Sequence, residues 1–117
     1  MDNPVVLLVD DFPLLLGATA SRLRHEGFDV IEATRAEEAL DVLSRRDDVA
    51  IVIADCSMPG MEGPQLARLI LERYPEVPII LTSGNPPDDL PEGVEFIKKP
   101  YRAAQLTKAI RSWFPAE

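Results

Sequence analysis

Val49-Ala50-Ile51-Val52-Ile53-Ala54-Asp55 decides the fold: an unbroken apolar run, rich in β-branched residues, that stops on a carboxylate. A strand with one wet face alternates polar and apolar residues. A run this uniform and this short suits a strand covered on both faces, the usual condition of a parallel sheet. Residues 5–9 and 77–81 repeat the pattern, so three central strands are expected. Residues 28–32 interleave Asp29 and Glu32 with apolar positions, and 94–98 set Val94 and Phe96 against Glu95. These two mixed segments belong at the sheet edges.

Helical spacing fills the gaps between strands. A helix is expected over 13–26, with Pro13 in its tolerated first turn and Gly27 ending it. Thr34-Arg35-Ala36-Glu37 reads as a capping box ahead of Ala36, Ala39, Leu40 and Leu43 on one face. Leu66, Leu69, Ile70 and Tyr74 mark a third helix, stopped by Pro75, and Leu106, Ala109, Ile110 and Trp113 mark the last. Strand then helix, repeated, predicts a doubly wound α/β fold; right-handed crossovers with these edges give a five-stranded parallel sheet of order 2-1-3-4-5. One stretch breaks the rhythm. Between Gly84 and Gly93 stand Pro86, Pro87 and Pro91, leaving room for one helical turn at most, with Leu90 tucked against the sheet. The fourth helix is therefore expected to be shortened or absent.

At 117 residues, 46% of them hydrophobic and 27% charged, the chain reads as one ordered domain spanning 1–117. A formal charge of -8 with no basic stripe argues against direct nucleic-acid binding. No apolar run is long enough for a membrane span, Met1-Asp2-Asn3-Pro4 lacks a signal peptide's basic region, and Cys56 is the single cysteine. A cytoplasmic location is the expectation. Met1-Asp2 reads as a natural start; the chain ends just after its last helix, either as a stand-alone shuttle or as a piece of a longer regulator.

In an open parallel sheet, functional groups collect outside the carboxyl ends of the strands. Here those ends carry Asp10-Asp11, Asp55, Thr82-Ser83 and Lys98-Lys99-Pro100. Carboxylates ~5 Å apart at an effective dielectric near 20 repel by ~3 kcal/mol per pair. A hard divalent cation with oxygen ligands relieves that, and few carboxylates completed by water and phosphate suit Mg²⁺. Carboxylate, cation, hydroxyl and ammonium together are the parts for attack on phosphorus, leaving an aspartyl phosphate.

Four pieces, in order and each at a strand end, carry a family resemblance: Asp10-Asp11, the stretch from Asp55 through Cys56, Ser57, Met58, Pro59, Gly60, Met61 and Glu62 to Gly63, then Leu81-Thr82-Ser83-Gly84, and Lys98-Lys99-Pro100-Tyr101. From Val5 to about Phe114 the chain resembles the receiver domains of two-component response regulators. The resemblance implies that Asp55 is the phosphoacceptor, and that Asp11, Asp55 and the Ser57 carbonyl ligate Mg²⁺ with Asp10 acting through water. It implies that Lys99 contacts the phosphoryl group, that the Lys99-Pro100 bond is cis, and that Thr82 and Phe96 form the switch. Ser57 and Gly84 would tune hydrolysis. The implied donor is a histidine kinase or histidine phosphotransfer protein; the downstream target is unknown. Such a domain promotes its own phosphorylation and dephosphorylation without being a turnover enzyme.

Plainer roles compete. Asp11 could simply cap the first helix, Lys98 reads as solvated, Cys56 as a packed small hydrophobe, and His25 as exposed. Leu14, Leu15 and Leu16 cannot all face inward, so this helix offers either a wide core stripe or a docking patch for the donor. An Mg²⁺-dependent hydrolase of the haloacid-dehalogenase type would need an acid where Ser57 stands. A flavodoxin would need a phosphate loop where Asp10-Asp11 repel phosphate. A partner-binding pseudo-receiver would not need the intact acids and lysine.

Overall fold

The computed structural model of the chain describes residues 3–115; the reading of Met1-Asp2 as a start lies outside them. Nine elements follow in order: β1 (Val5–Val9), α1 (Pro13–His25), β2 (Asp29–Ala33), α2 (Ala36–Arg45), β3 (Val49–Asp55), α3 (Gly63–Arg73), β4 (Ile79–Ser83), β5 (Glu95–Lys98) and α4 (Ala103–Trp113). All strand pairs are parallel and the order is β2-β1-β3-β4-β5, with the mixed segments at the two edges as expected.

The sheet separates two apolar layers. On one face, Leu7, Val9, Val52, Ala54, Ile79 and Leu81 pack under α2 and α3; on the other, Val6, Leu8, Ile51, Ile53 and Ile80 pack under α1 and α4. Strand alternation alone would put Val49 with Ile51. Instead the β1–β3 register shifts between Val5 and Val6, which face Val49 and Ile51, so Ala50 is an extra residue. Val49 therefore shares the face of Val52 and Ala54. An all-apolar run conceals such a bulge.

Several local expectations need correction. β4 starts at Ile79 rather than 77 and runs to Ser83, because Pro78 has no N–H for the ladder, though its carbonyl accepts from Val52 N. The α2 box is displaced by one residue: Thr34 N and Oγ1 both donate to Glu38 Oε1 (2.6 and 2.5 Å), and Arg35 takes the N-cap. In α3, Ala67 and Leu71 join Leu66, Ile70 and Tyr74 at the core, while Leu69 lies outside that cluster. Trp113 is 49% exposed, its indole N–H directed to Glu95 Oε1 at 3.4 Å. Phe114 takes the inner place instead, the last turn of α4 being drawn toward α1 by Arg111, which donates to the Glu26 carbonyl and stacks over Phe28.

Residues 84–93 form two turns and, among the described residues, no helix. The helix expected to be shortened or absent is absent, and Leu90 packs against the core as expected.

Candidate functional site

The sheet order brings the ends of β1, β3, β4 and β5 side by side, and Asp55 pairs with Thr82 across β3 and β4. Asp10 and Asp55 are buried, Asp11 is exposed, and one oxygen from each lies within 4.8 Å of the others. Lys99 Nζ stands 3.3 Å from Asp55 Oδ2 and 3.5 Å from Asp10 Oδ2. Thr82 is buried, Ser57 exposed and Lys99 partly buried.

The remaining carboxylate oxygens are held by backbone. Asp10 Oδ1 accepts from Phe12 N at 2.9 Å, and Asp55 Oδ1 accepts from Ser57 N at 3.3 Å. The turn into α1 is thus held by Asp10, not by Asp11, and no side chain caps that helix. Asp11 is left free to face the crevice. Burial pushes the Asp55 carboxyl above the usual range, with Lys99 and the Ser57 N–H acting the other way. For Lys99, burial alone would lower the pKa, but the Asp55 and Asp10 carboxylates outweigh it and raise it. The ammonium is therefore firmly charged and balances part of the clustered negative charge. Three hard oxygen donors in reach of one another, with one ammonium paired to them among the described residues, match the donor chemistry of Mg²⁺.

The chain fixes this geometry through the segment after β3. Cys56 N donates to the Thr82 carbonyl at 2.8 Å, and Gly63 N donates to the Cys56 carbonyl at 2.9 Å. A Cβ on Gly63 would fall 2.7 Å from the Asp55 carbonyl oxygen and 2.7 Å from Cys56 Cα. Gly63 is thus a structural requirement of the site; the sequence reading names it only as the end of the Asp55 stretch and gives it no role. On the fourth side, the Lys99-Pro100 peptide is cis and Lys99 N donates to the Ser83 carbonyl at 2.7 Å. Phe96 is partly buried on the face of α2 and α3. Lys98 is exposed, and Gly84 has open space around it.

Two hollows flank the acids. One, about 480 Å³, is lined by Asp11, Thr34, Arg35, Glu37, Pro59 and Gly60, so the residues just after β2 contribute a rim. The other, about 320 Å³, is lined by Leu15, Lys99, Pro100 and Tyr101. On the same helix as Leu15, Leu14 is 80% exposed, and Phe12 at its N-cap is 58% exposed, whereas Leu16 is 3% exposed and belongs to the core. Cys56 is buried, and burial first of all pushes its thiol up to about 11, consistent with a packed rather than a reactive thiol. His25 is exposed at the end of α1. Among the described residues no helix is long and apolar enough to cross a membrane.

The family model of the response regulator receiver domain matches residues 6–111. The C4-dicarboxylate transport transcriptional regulatory protein DctD of Rhizobium meliloti (strain 1021) is 40% identical over 116 residues, which cover 92% of this chain and 25% of DctD. The chain thus spans about a quarter of that relative's length. Among solved structures, a response regulator receiver domain protein from Clostridium thermocellum superposes with a TM-score of 0.88 at 26% identity, covering 94% of this chain and 93% of the other. The response regulator protein TrrA from Thermotoga maritima, in complex with Mg²⁺-BeF, gives 0.86 at 25% identity, covering 94% and 98%.

Proposed function

This chain belongs to the response regulator receiver domain family, and we propose that Asp55 is its phosphoacceptor in a His-to-Asp relay. One observation carries the assignment: Asp55 ends β3 directly opposite Thr82 on β4, with Lys99 Nζ 3.3 Å from its Oδ2 and the Asp10 and Asp11 oxygens within 4.8 Å, whereas Asp10, also buried and 3.5 Å from Lys99, follows β1, which does not border β4. Asp10 and Asp11 are the rest of a cation site rather than rival acceptors.

Asp11, Asp55 and the Ser57 carbonyl would hold Mg²⁺, with Asp10 reaching it through water; when bound, the cation neutralises charge between carboxylate and phosphate. An Asp55 oxygen attacks phosphorus, the bond to the donor nitrogen breaks, and its electron pair stays on the imidazole, which then takes a proton from water. Lys99 places its ammonium where the phosphoryl oxygens gather, and Thr82 offers its hydroxyl from the adjacent strand. A phosphoryl charge of about -2 at this buried end draws Thr82 inward and shifts Phe96, the switch aromatic, with Ser57 and Gly84 at the rim tuning hydrolysis. Ser57 stands where a hydrolase of the haloacid-dehalogenase type would carry its second acid, so the domain phosphorylates and resets itself rather than turning over esters.

Incubation with acetyl phosphate or phosphoramidate and Mg²⁺ should add one phosphoryl group to the intact protein, as read by mass, and chelation should prevent it. Equal labelling in excess chelator would refute the reading.

The donor is a histidine kinase or histidine phosphotransfer protein, and Leu14, with Phe12 and the hollow beside Lys99, forms the surface on which it docks. Leu14→Ser should slow transfer from a phosphohistidine protein severalfold while leaving labelling by acetyl phosphate unchanged. Stability should move by no more than about 0.5 kcal/mol, since the side chain already faces water. Unchanged transfer from every phosphohistidine donor that acts on the wild type would remove the surface from the account. A polar residue at Leu16 is no substitute for this test, because it would damage the core.

A further inference from the structure

The segment 84–93 replaces a helix, yet it is held in place by very little. Three of its residues are prolines without an N–H, and the backbone bond at its exit runs from Val94 N to the Pro91 carbonyl at 3.2 Å. Among the described residues, the side-chain hydrogen bonds and ion pair that reach it from another element all come from Arg68 on α3. One guanidinium nitrogen donates to the Asp89 carbonyl at 2.8 Å and to Asp89 Oδ2 at 3.0 Å. Next to this contact Leu90 packs against the same core cluster as Phe96. At its other end the segment starts directly after Thr82-Ser83, on Gly84.

We infer that Arg68 and Asp89 form a latch that pins this segment against α3 and biases the switch toward its unphosphorylated arrangement. The inference rests on the phosphoacceptor reading above. The latch is closed in a structure where the Lys99 ammonium is engaged by both Asp10 and Asp55. Any inward pull on Thr82 is transmitted through Ser83 and Gly84 into a segment fixed at Asp89 and Leu90. Coupling of this kind is reciprocal: what phosphorylation does to the latch, opening the latch does for phosphorylation. Both partners are well exposed, so the expected bias is modest, roughly two- to fivefold.

The test compares wild type with Arg68→Ala and Arg68→Lys, the lysine keeping the charge without the planar fork. In metal-free, unphosphorylated protein, ¹⁵N relaxation should show the amides of Asp88, Asp89 and Leu90 falling from order parameters near 0.85 to below about 0.6 in Arg68→Ala. With acetyl phosphate and Mg²⁺, the same variant should label two- to fivefold faster, with Arg68→Lys between the two. Unchanged order parameters overturn the latch. Loosened amides with unchanged labelling overturn its coupling to the switch. Wild type that takes no label refutes the phosphoacceptor reading and the coupling with it, while the relaxation result still stands or falls separately.

Discussion

Asp55→Asn should take no phosphoryl group from acetyl phosphate or phosphoramidate, a loss of at least about 10³-fold in labelling. The amide nearly matches the carboxylate in shape but brings no anionic oxygen to phosphorus. Asp10 and Asp11 cannot substitute: Asp10 has one oxygen held by Phe12 N and the other on the Lys99 ammonium and follows β1, which does not border β4 and its Thr82, and Asp11 is exposed at the rim. Mg²⁺ affinity should fall as well, one of three carboxylates having been removed. Stability separates lost chemistry from lost fold. Burial penalises the Asp55 charge, and carboxylates crowded at ~5 Å cost ~3 kcal/mol per pair without a cation. Without Mg²⁺ the variant should therefore melt no lower than wild type. A melting temperature well below wild type would mean that the Lys99 contact matters more to folding than this account allows.

The second large effect is expected at a residue with no reactive group. Gly63→Ala should lower stability by about 2–3 kcal/mol, or roughly 10 °C in Tm, and abolish the gain in Tm on adding Mg²⁺. The atoms in the way, the Asp55 carbonyl oxygen and Cys56 Cα at 2.7 Å, are backbone and cannot swing aside. To admit a methyl group, the start of α3 must back away and break the bond from Gly63 N to the Cys56 carbonyl, or the end of β3 must move and carry Asp55 with it. Gly17→Ala is the contrasting control: it lies within α1 with nothing near its Cβ position, so it should stabilise by about 0.5–1 kcal/mol. Thermal melts with and without Mg²⁺ check both, and a wild-type Tm for Gly63→Ala would show that the close approach is not real.

These two residues mark how far the sequence could be read. Asp55 was legible because the end of a parallel strand is a fixed place: an apolar run followed by an acid locates the side chain without coordinates, and Asp10-Asp11, Thr82 and Lys99 follow the same rule. The prolines at 86, 87 and 91 announced a missing helix for an equally local reason. Gly63 was visible as the end of the Asp55 stretch, but its role was not, because its importance lies in a neighbour that approaches through space. The bulge at Ala50 was hidden because every residue around it is apolar, and a register shift changes the face without changing the pattern. Arg68 and Asp89 are 21 residues apart on the surface, where charges are common and spacing carries no signal. Asp10 and Asp11 were both visible as acids; which one serves the Phe12 N–H and which faces the crevice depends on one backbone turn.

The central claim is that the phosphoryl group resides on one carboxylate, and borohydride trapping tests it most directly. Borohydride reduces an acyl phosphate to an alcohol, so a phosphorylated aspartate is recovered as homoserine, which peptide mass mapping can place. Protein treated with acetyl phosphate and Mg²⁺ should yield homoserine at position 55, with positions 10 and 11 unchanged. Homoserine at position 10 or 11, or a borohydride-resistant phosphate on Ser57, Thr82 or Ser83, would contradict the account.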